Sequence, residues 1–98
     1  MSDTRWKRLE RDVARKVGGQ RIPVTGERDG QDISHPVFAF QVKSRRTIPG
    51  WLATWLAGIT GTARRLDRVG VLVLHQPGTE VDDALVVLRM RDWVDLHG

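Results

Sequence analysis

Apolar residues recur with helical spacing at Trp6, Leu9, Val13, Ala14 and Val17, which predicts a helix over residues 4–17 that Gly18 and Gly19 stop. Ile22 and Val24 then alternate with polar neighbours, as a short strand over 20–25 requires. Residues 26–30 are polar and bounded by glycines, so a turn or loop is expected, with mobility over 26–31. Asp32 and Ile33 fit a short strand, and 36–43 a longer one rich in Val and Phe. Strand alternation puts Phe38, Phe40 and Val42 on a core face and Val37, Ala39, Gln41 and Lys43 on the other. Pro49 ends a basic loop. A second helix over 50–66 presents Trp51, Leu52, Trp55, Leu56, Ile59, Ala63 and Leu66 as its apolar stripe. The continuous apolar run 69–75 reads as a strand covered on both faces, and 84–90 as another buried strand. Asp92 is placed to cap a last helical turn over 93–96. The order αβββαββ predicts a single α/β domain over 1–98, a mixed β-sheet flanked by helices.

Composition narrows the chemistry. The absence of cysteine excludes disulfides, thiolate metal sites and cysteine nucleophiles. No apolar run approaches a membrane span and the first residues lack a signal segment, so a cytoplasmic protein (host cytoplasm if phage-encoded) with no membrane partner is expected. The net charge is +4, and thirteen of the sixteen basic residues are arginine. Guanidinium forks suit phosphate, which favours a nucleic-acid partner over other polyanions; a merely Arg-rich surface is the alternative.

Three positions stand out. Gln41 and Lys43 project together from the end of the 36–43 strand, either as a site or as a solvated strand end. Asp32 lies eight residues before Gln41, and a strand-turn-strand connection returns the chain to its side; a simple turn aspartate is the alternative. Glu10 falls near ~40° on a helical projection where Trp6 is 0° and Val17 is near ~20°, inside the apolar stripe. A buried carboxylate needs a metal or a basic partner, here Lys7, Arg11 or Arg21. His75 reads as a satisfied core histidine or a group reaching the site. Trp51 and Trp55, one turn apart, read as core, dimer interface or base-stacking platform.

In order, these segments are Glu10 on a helix, Arg21-Ile22-Pro23-Val24-Thr25-Gly26, Gln31-Asp32-Ile33, and Phe40-Gln41-Val42-Lys43-Ser44. The set resembles the PD-(D/E)XK nuclease superfamily, and within it the archaeal and phage Holliday junction resolvases. Gln41 stands where that pattern has Glu or Asp. The resemblance implies a restriction-endonuclease-like core and a homodimer acting on DNA, branched DNA included. It implies a metal-dependent endonuclease in which Glu10, Asp32, Gln41 and the carbonyl of Val42 hold Mg²⁺ or Mn²⁺, with Glu10, Asp32, Gln41 and Lys43 as the catalytic set. Lys43 would orient the attacking water or offset charge on the phosphate. Arg21, Ser44, Arg45 and Arg46 would contact DNA. An amide at position 41 brings no charge and lowers the affinity for a hard cation. A nuclease-fold DNA-binding module without activity, or a phage-type structural or interaction protein, are the alternatives.

If Arg45 and Arg46 grip phosphates, Arg45→Ala with Arg46→Ala should flatten the dependence of DNA affinity on salt by ~0.9 per lost contact. Titrations of a labelled duplex at several salt concentrations measure it, and an unchanged slope removes this loop from the binding surface.

Overall fold

Helix α1, Ser2–Val17, ends where its periodicity predicts and begins two residues earlier, with Glu10, Ala14 and Val17 buried along one face. It ends in a Schellman-type cap: Gly18 takes φ 73°, open to a residue without Cβ, and the Gly19 N–H donates to the Ala14 carbonyl at 2.9 Å. The description comes from a computed structural model and covers residues 2–23 and 30–97, with side chains from residue 5. The expected strand end at 24–25 and most of the expected mobile segment 26–31 lie outside the described residues.

The chain divides into two compact units, 1–46 with 97–98, and 47–96. In the first unit, β1 (Gln20–Arg21) pairs antiparallel with β2 (Ile33–Ser34), Gln20 opposite Ser34 and Arg21 opposite Ile33. Ile33 is fully buried, and Gly19 backs directly onto it and Ser34.

The strand expected over 36–43 is reduced to one antiparallel bridge, Ile33 to Phe40. The reason lies in where its backbone donors go. Pro36 has no N–H. The N–H groups of Val37 and Phe38 both donate to Nδ1 of His35, at 3.0 and 3.3 Å, and that of Val42 to a carboxylate oxygen of Asp32 at 2.7 Å. Side chains thus satisfy groups that a ladder would otherwise pair. The expected aromatic face does form a cluster, with Phe38 and Phe40 ring centroids 5.9 Å apart and His35 beside both.

In the second unit, α2 (Gly50–Arg65) buries Leu56, Thr60 and Ala63. This is a narrower stripe than the sequence predicts: Trp51, Trp55 and Leu66 are each more than half exposed. The helix ends on Asp67 at φ 55°, with Arg68 N–H donating to the Ala63 carbonyl at 2.8 Å. Strands β3 (Leu72–Leu74) and β4 (Leu85–Val87) pair antiparallel, Val73 opposite Val86, and a 3₁₀ turn over Val81–Asp83 lies between them. Helix α3 spans Met90–His97, so it begins earlier than expected and Asp92 sits in its first turn rather than at its cap.

The protein is therefore mixed α/β. Its described strands form two two-stranded antiparallel ladders, β1–β2 and β3–β4, in place of one mixed sheet. Nor are the later strands covered on both faces, since Val73, Leu85 and Val86 are exposed.

Two glycines in the second unit give opposite expectations. A Cβ on Gly70 would meet the Thr60 backbone at 2.9–3.0 Å, whereas one on Gly58, inside α2, meets nothing within 4 Å. Gly70→Ala should lower stability by about 1–3 kcal/mol through overpacking. Gly58→Ala should raise it by roughly 0.5–1 kcal/mol through helix propensity. Urea unfolding of both variants reads the two signs; equal midpoints would mean Gly70 does not seat against α2.

Candidate functional site

The site is built around Asp32, half-buried at the entrance to β2. Its backbone is bonded on both sides: its carbonyl accepts from Ile22 at 2.9 Å and its N–H donates to the Phe40 carbonyl at 2.7 Å. With its side chain holding the Val42 N–H, the residue is fixed against the 40–42 segment. Gln41 is exposed next to it and its amide donates to the Gly30 carbonyl at 3.4 Å. A shallow recess of about 390 Å³ opens there, lined by Gly30, Gln31, Ala39, Phe40 and Gln41. Lys43, Ser44, Arg45 and Arg46 follow in exposed, irregular chain. Asp32 and the backbone of 40–42 are thus joined, with the Gln41 side chain on Gly30, and Lys43 is one residue beyond Val42.

Glu10 has one of the basic partners that its helical position calls for. It is 5% exposed, and its carboxylate accepts from Nε of Arg21 at 2.7 Å. The guanidinium of Arg21 lies 5.5 Å from the ring centroid of Trp6, within cation–π range. Its Nη2 is buried, with no hydrogen-bond partner among the described residues. The sequence named Arg21 only as one of several partners for Glu10 and as a DNA contact; its stacking on Trp6 carried no sequence signal.

The oxygen donors that these residues offer are the Asp32 carboxylate, which already accepts from the Val42 N–H, the Gln41 amide and the Val42 carbonyl, all of the hard type that Mg²⁺ prefers. They carry one negative charge. No cluster of three or more His, Asp or Glu that could hold a metal occurs among the described residues. The donor types fit a divalent cation, while the charge is lower than such sites usually supply.

Two other sequence candidates lie in the second unit. His75 is exposed rather than core, and its Nε2 lies 2.8 Å from the Thr79 carbonyl, closing the turn between β3 and the 3₁₀ segment. Trp51 and Trp55 pack edge to face at 5.4 Å and line an open groove with Leu74, Thr79 and Leu85. They are not core residues.

Compared with known proteins, the chain matches no family model, no curated protein and no solved structure. No helix among the described residues is long and apolar enough to cross a membrane.

The Glu10–Arg21 pair should be structural. Glu10→Gln leaves a guanidinium held in a largely buried place without its counter-charge, and should cost on the order of 3 kcal/mol. The double variant Glu10→Met with Arg21→Met should recover most of that loss. Denaturation midpoints of Glu10→Met, Arg21→Met and the double variant give the coupling; an additive result would show that the two side chains do not depend on each other.

Proposed function

We propose that this protein is a metal-dependent DNA endonuclease with a restriction-endonuclease-like core, selective for branched or otherwise distorted DNA and acting as a homodimer. The observation that carries the reading is the 2.7 Å bond from the Val42 N–H to the Asp32 carboxylate. It sets an acid beside the Gln41-Val42-Lys43 segment from a position ten residues earlier, as an acid followed by acid-x-Lys requires. The distribution of charge supports a nucleic-acid partner. The unit containing Asp32 has eleven basic and six acidic residues, whereas the other has five and six.

Asp32, Gln41 and the Val42 carbonyl would hold the cation, which when bound supplies an acidified water and Lewis-acid stabilisation of the phosphate. Lys43 places a positive charge one residue from these donors, where it orients the water or offsets charge on the phosphate in the transition state. Arg45 and Arg46 bind phosphates flanking the scissile one. Glu10, neutralised by Arg21, adds no negative charge against the DNA and anchors Arg21 instead. A second reading, a DNA-binding module of the same fold without activity, is favoured by that ion pair together with the uncharged Gln41.

Cleavage of branched and linear DNAs in Mg²⁺ and Mn²⁺ tests the reading. Asp32→Ala would unseat Val42 as well as remove a ligand, so Asp32→Asn is the better variant because it keeps an acceptor for that N–H. Asp32→Asn and Lys43→Ala should each lower cleavage by about 10²–10³-fold while DNA binding persists. Gln41→Glu should bind the metal more tightly and cleave at least as fast as wild type. If wild type and Gln41→Glu are both inert on every DNA while binding it, the module reading replaces the enzyme.

A further inference from the structure

Arg8, Arg11 and Arg15 lie within an arc of about 60° on α1, on its exposed side, and span ~10 Å of helix axis. With Arg21 at the end of β1 they line an open groove of about 650 Å³, floored by Ala14 and the backbone of 19–20. Four guanidinium groups there share the lining with a single carboxylate, Asp12, which pairs with Arg15. Arg21 is matched by Glu10. Arg11 donates only to the Lys7 carbonyl, at 3.3 Å, and neither Arg8 nor Arg11 has an acidic partner among the described residues. Two or more arginine charges are therefore held along one groove with nothing on the described surface to neutralise them.

We propose that this groove is a phosphate-binding track for one strand of a DNA duplex, separate from Arg45 and Arg46. Its length suits the ligand: ~10 Å is enough to meet about two successive phosphates along one strand, and a third where the strand runs closer to the duplex axis direction. Its arginines present planar forks suited to bidentate phosphate contact. Its position matches as well. Arg21 lines the groove, and the next residue, Ile22, is bonded through its backbone to Asp32, so the groove and the candidate site are linked through β1. The proposal rests on the nucleic-acid reading above and adds the surface that would carry much of the affinity.

The test compares two triple variants of equal charge loss in binding a labelled duplex, without metal, across a salt series. One is Arg8→Ala with Arg11→Ala and Arg15→Ala; the other is Arg64→Ala with Arg65→Ala and Arg68→Ala in the second unit. All six side chains are exposed, so both variants should fold, and circular dichroism checks it. If each α1 arginine meets one phosphate, the α1 variant should lose a slope of ~2.7 in log affinity against log salt. A fourfold rise in salt should then weaken it about 40-fold less than wild type. The second-unit variant should keep the wild-type slope. Arg8→Lys with Arg11→Lys and Arg15→Lys should restore the slope, because counterion release depends on charge. An unchanged slope in the α1 variant, or equal losses in both alanine variants, overturns the track while leaving the nuclease reading standing. Wild-type protein that binds no DNA at low salt overturns both.

Discussion

Asp32 makes three hydrogen bonds to two separate stretches of chain: its carbonyl accepts from Ile22, while its N–H donates to Phe40 and its carboxylate accepts from the N–H of Val42. The first unit depends on this junction. The β1–β2 ladder is only two residues wide on each side, and the 36–43 segment touches it through a single bridge. So short a ladder is marginal by itself in water. A charged acceptor on a backbone donor is among the stronger hydrogen bonds, and here it does what a third strand would do in a wider sheet. The same constraint makes a candidate catalytic acid inseparable from the architecture. The carboxylate that positions Val42 is the one that would have to hold the cation.

The parts of the fold that were legible in the sequence are those set by local periodicity. Helix α1 and its stop follow from Trp6 through Val17 and from two glycines, and α2 from its repeat of large apolar residues. The central strand was misleading for a physical reason. Alternating residues between 36 and 43 resemble a half-buried strand, but His35 and Asp32 take up the N–H groups of three of them. Side-chain-to-backbone bonds of this kind leave the hydrophobic pattern intact while removing the ladder. In the second unit, the continuous apolar runs implied strands covered twice. Three-residue strands in a two-stranded ladder leave Val73, Leu85 and Val86 with no second layer.

For the site, proximity was legible and partnership was not. Spacing alone indicated that Asp32 and Gln41 return to the same place. The helical angle of Glu10 indicated burial, and burial of a carboxylate requires either a cation or a basic side chain. Both solutions have the same sequence signature, since Lys7, Arg11 and Arg21 were all within plausible reach. Only the path of β1 past the helix selects Arg21, and that path depends on the cap at Gly18 and Gly19 and on the close seat of Gly19 against Ile33.

The Glu10–Arg21 pair also bears on why an Arg-rich helix can present its charges on one side. A largely buried ion pair adds little net stability, because desolvation offsets the Coulomb attraction, but it is strongly directional. With Trp6 stacked on the guanidinium, Arg21 is held from two directions, and α1 is fixed in rotation relative to β1. That rotation turns Glu10, Ala14 and Val17 inward and leaves Arg8, Arg11 and Arg15 outward along the groove that Arg21 also lines. A hydrophobic residue at position 10 would fill the same space without choosing between neighbouring rotations. The cost of burying the pair is offset by a definite orientation, and the orientation gathers otherwise scattered positive charge into a line.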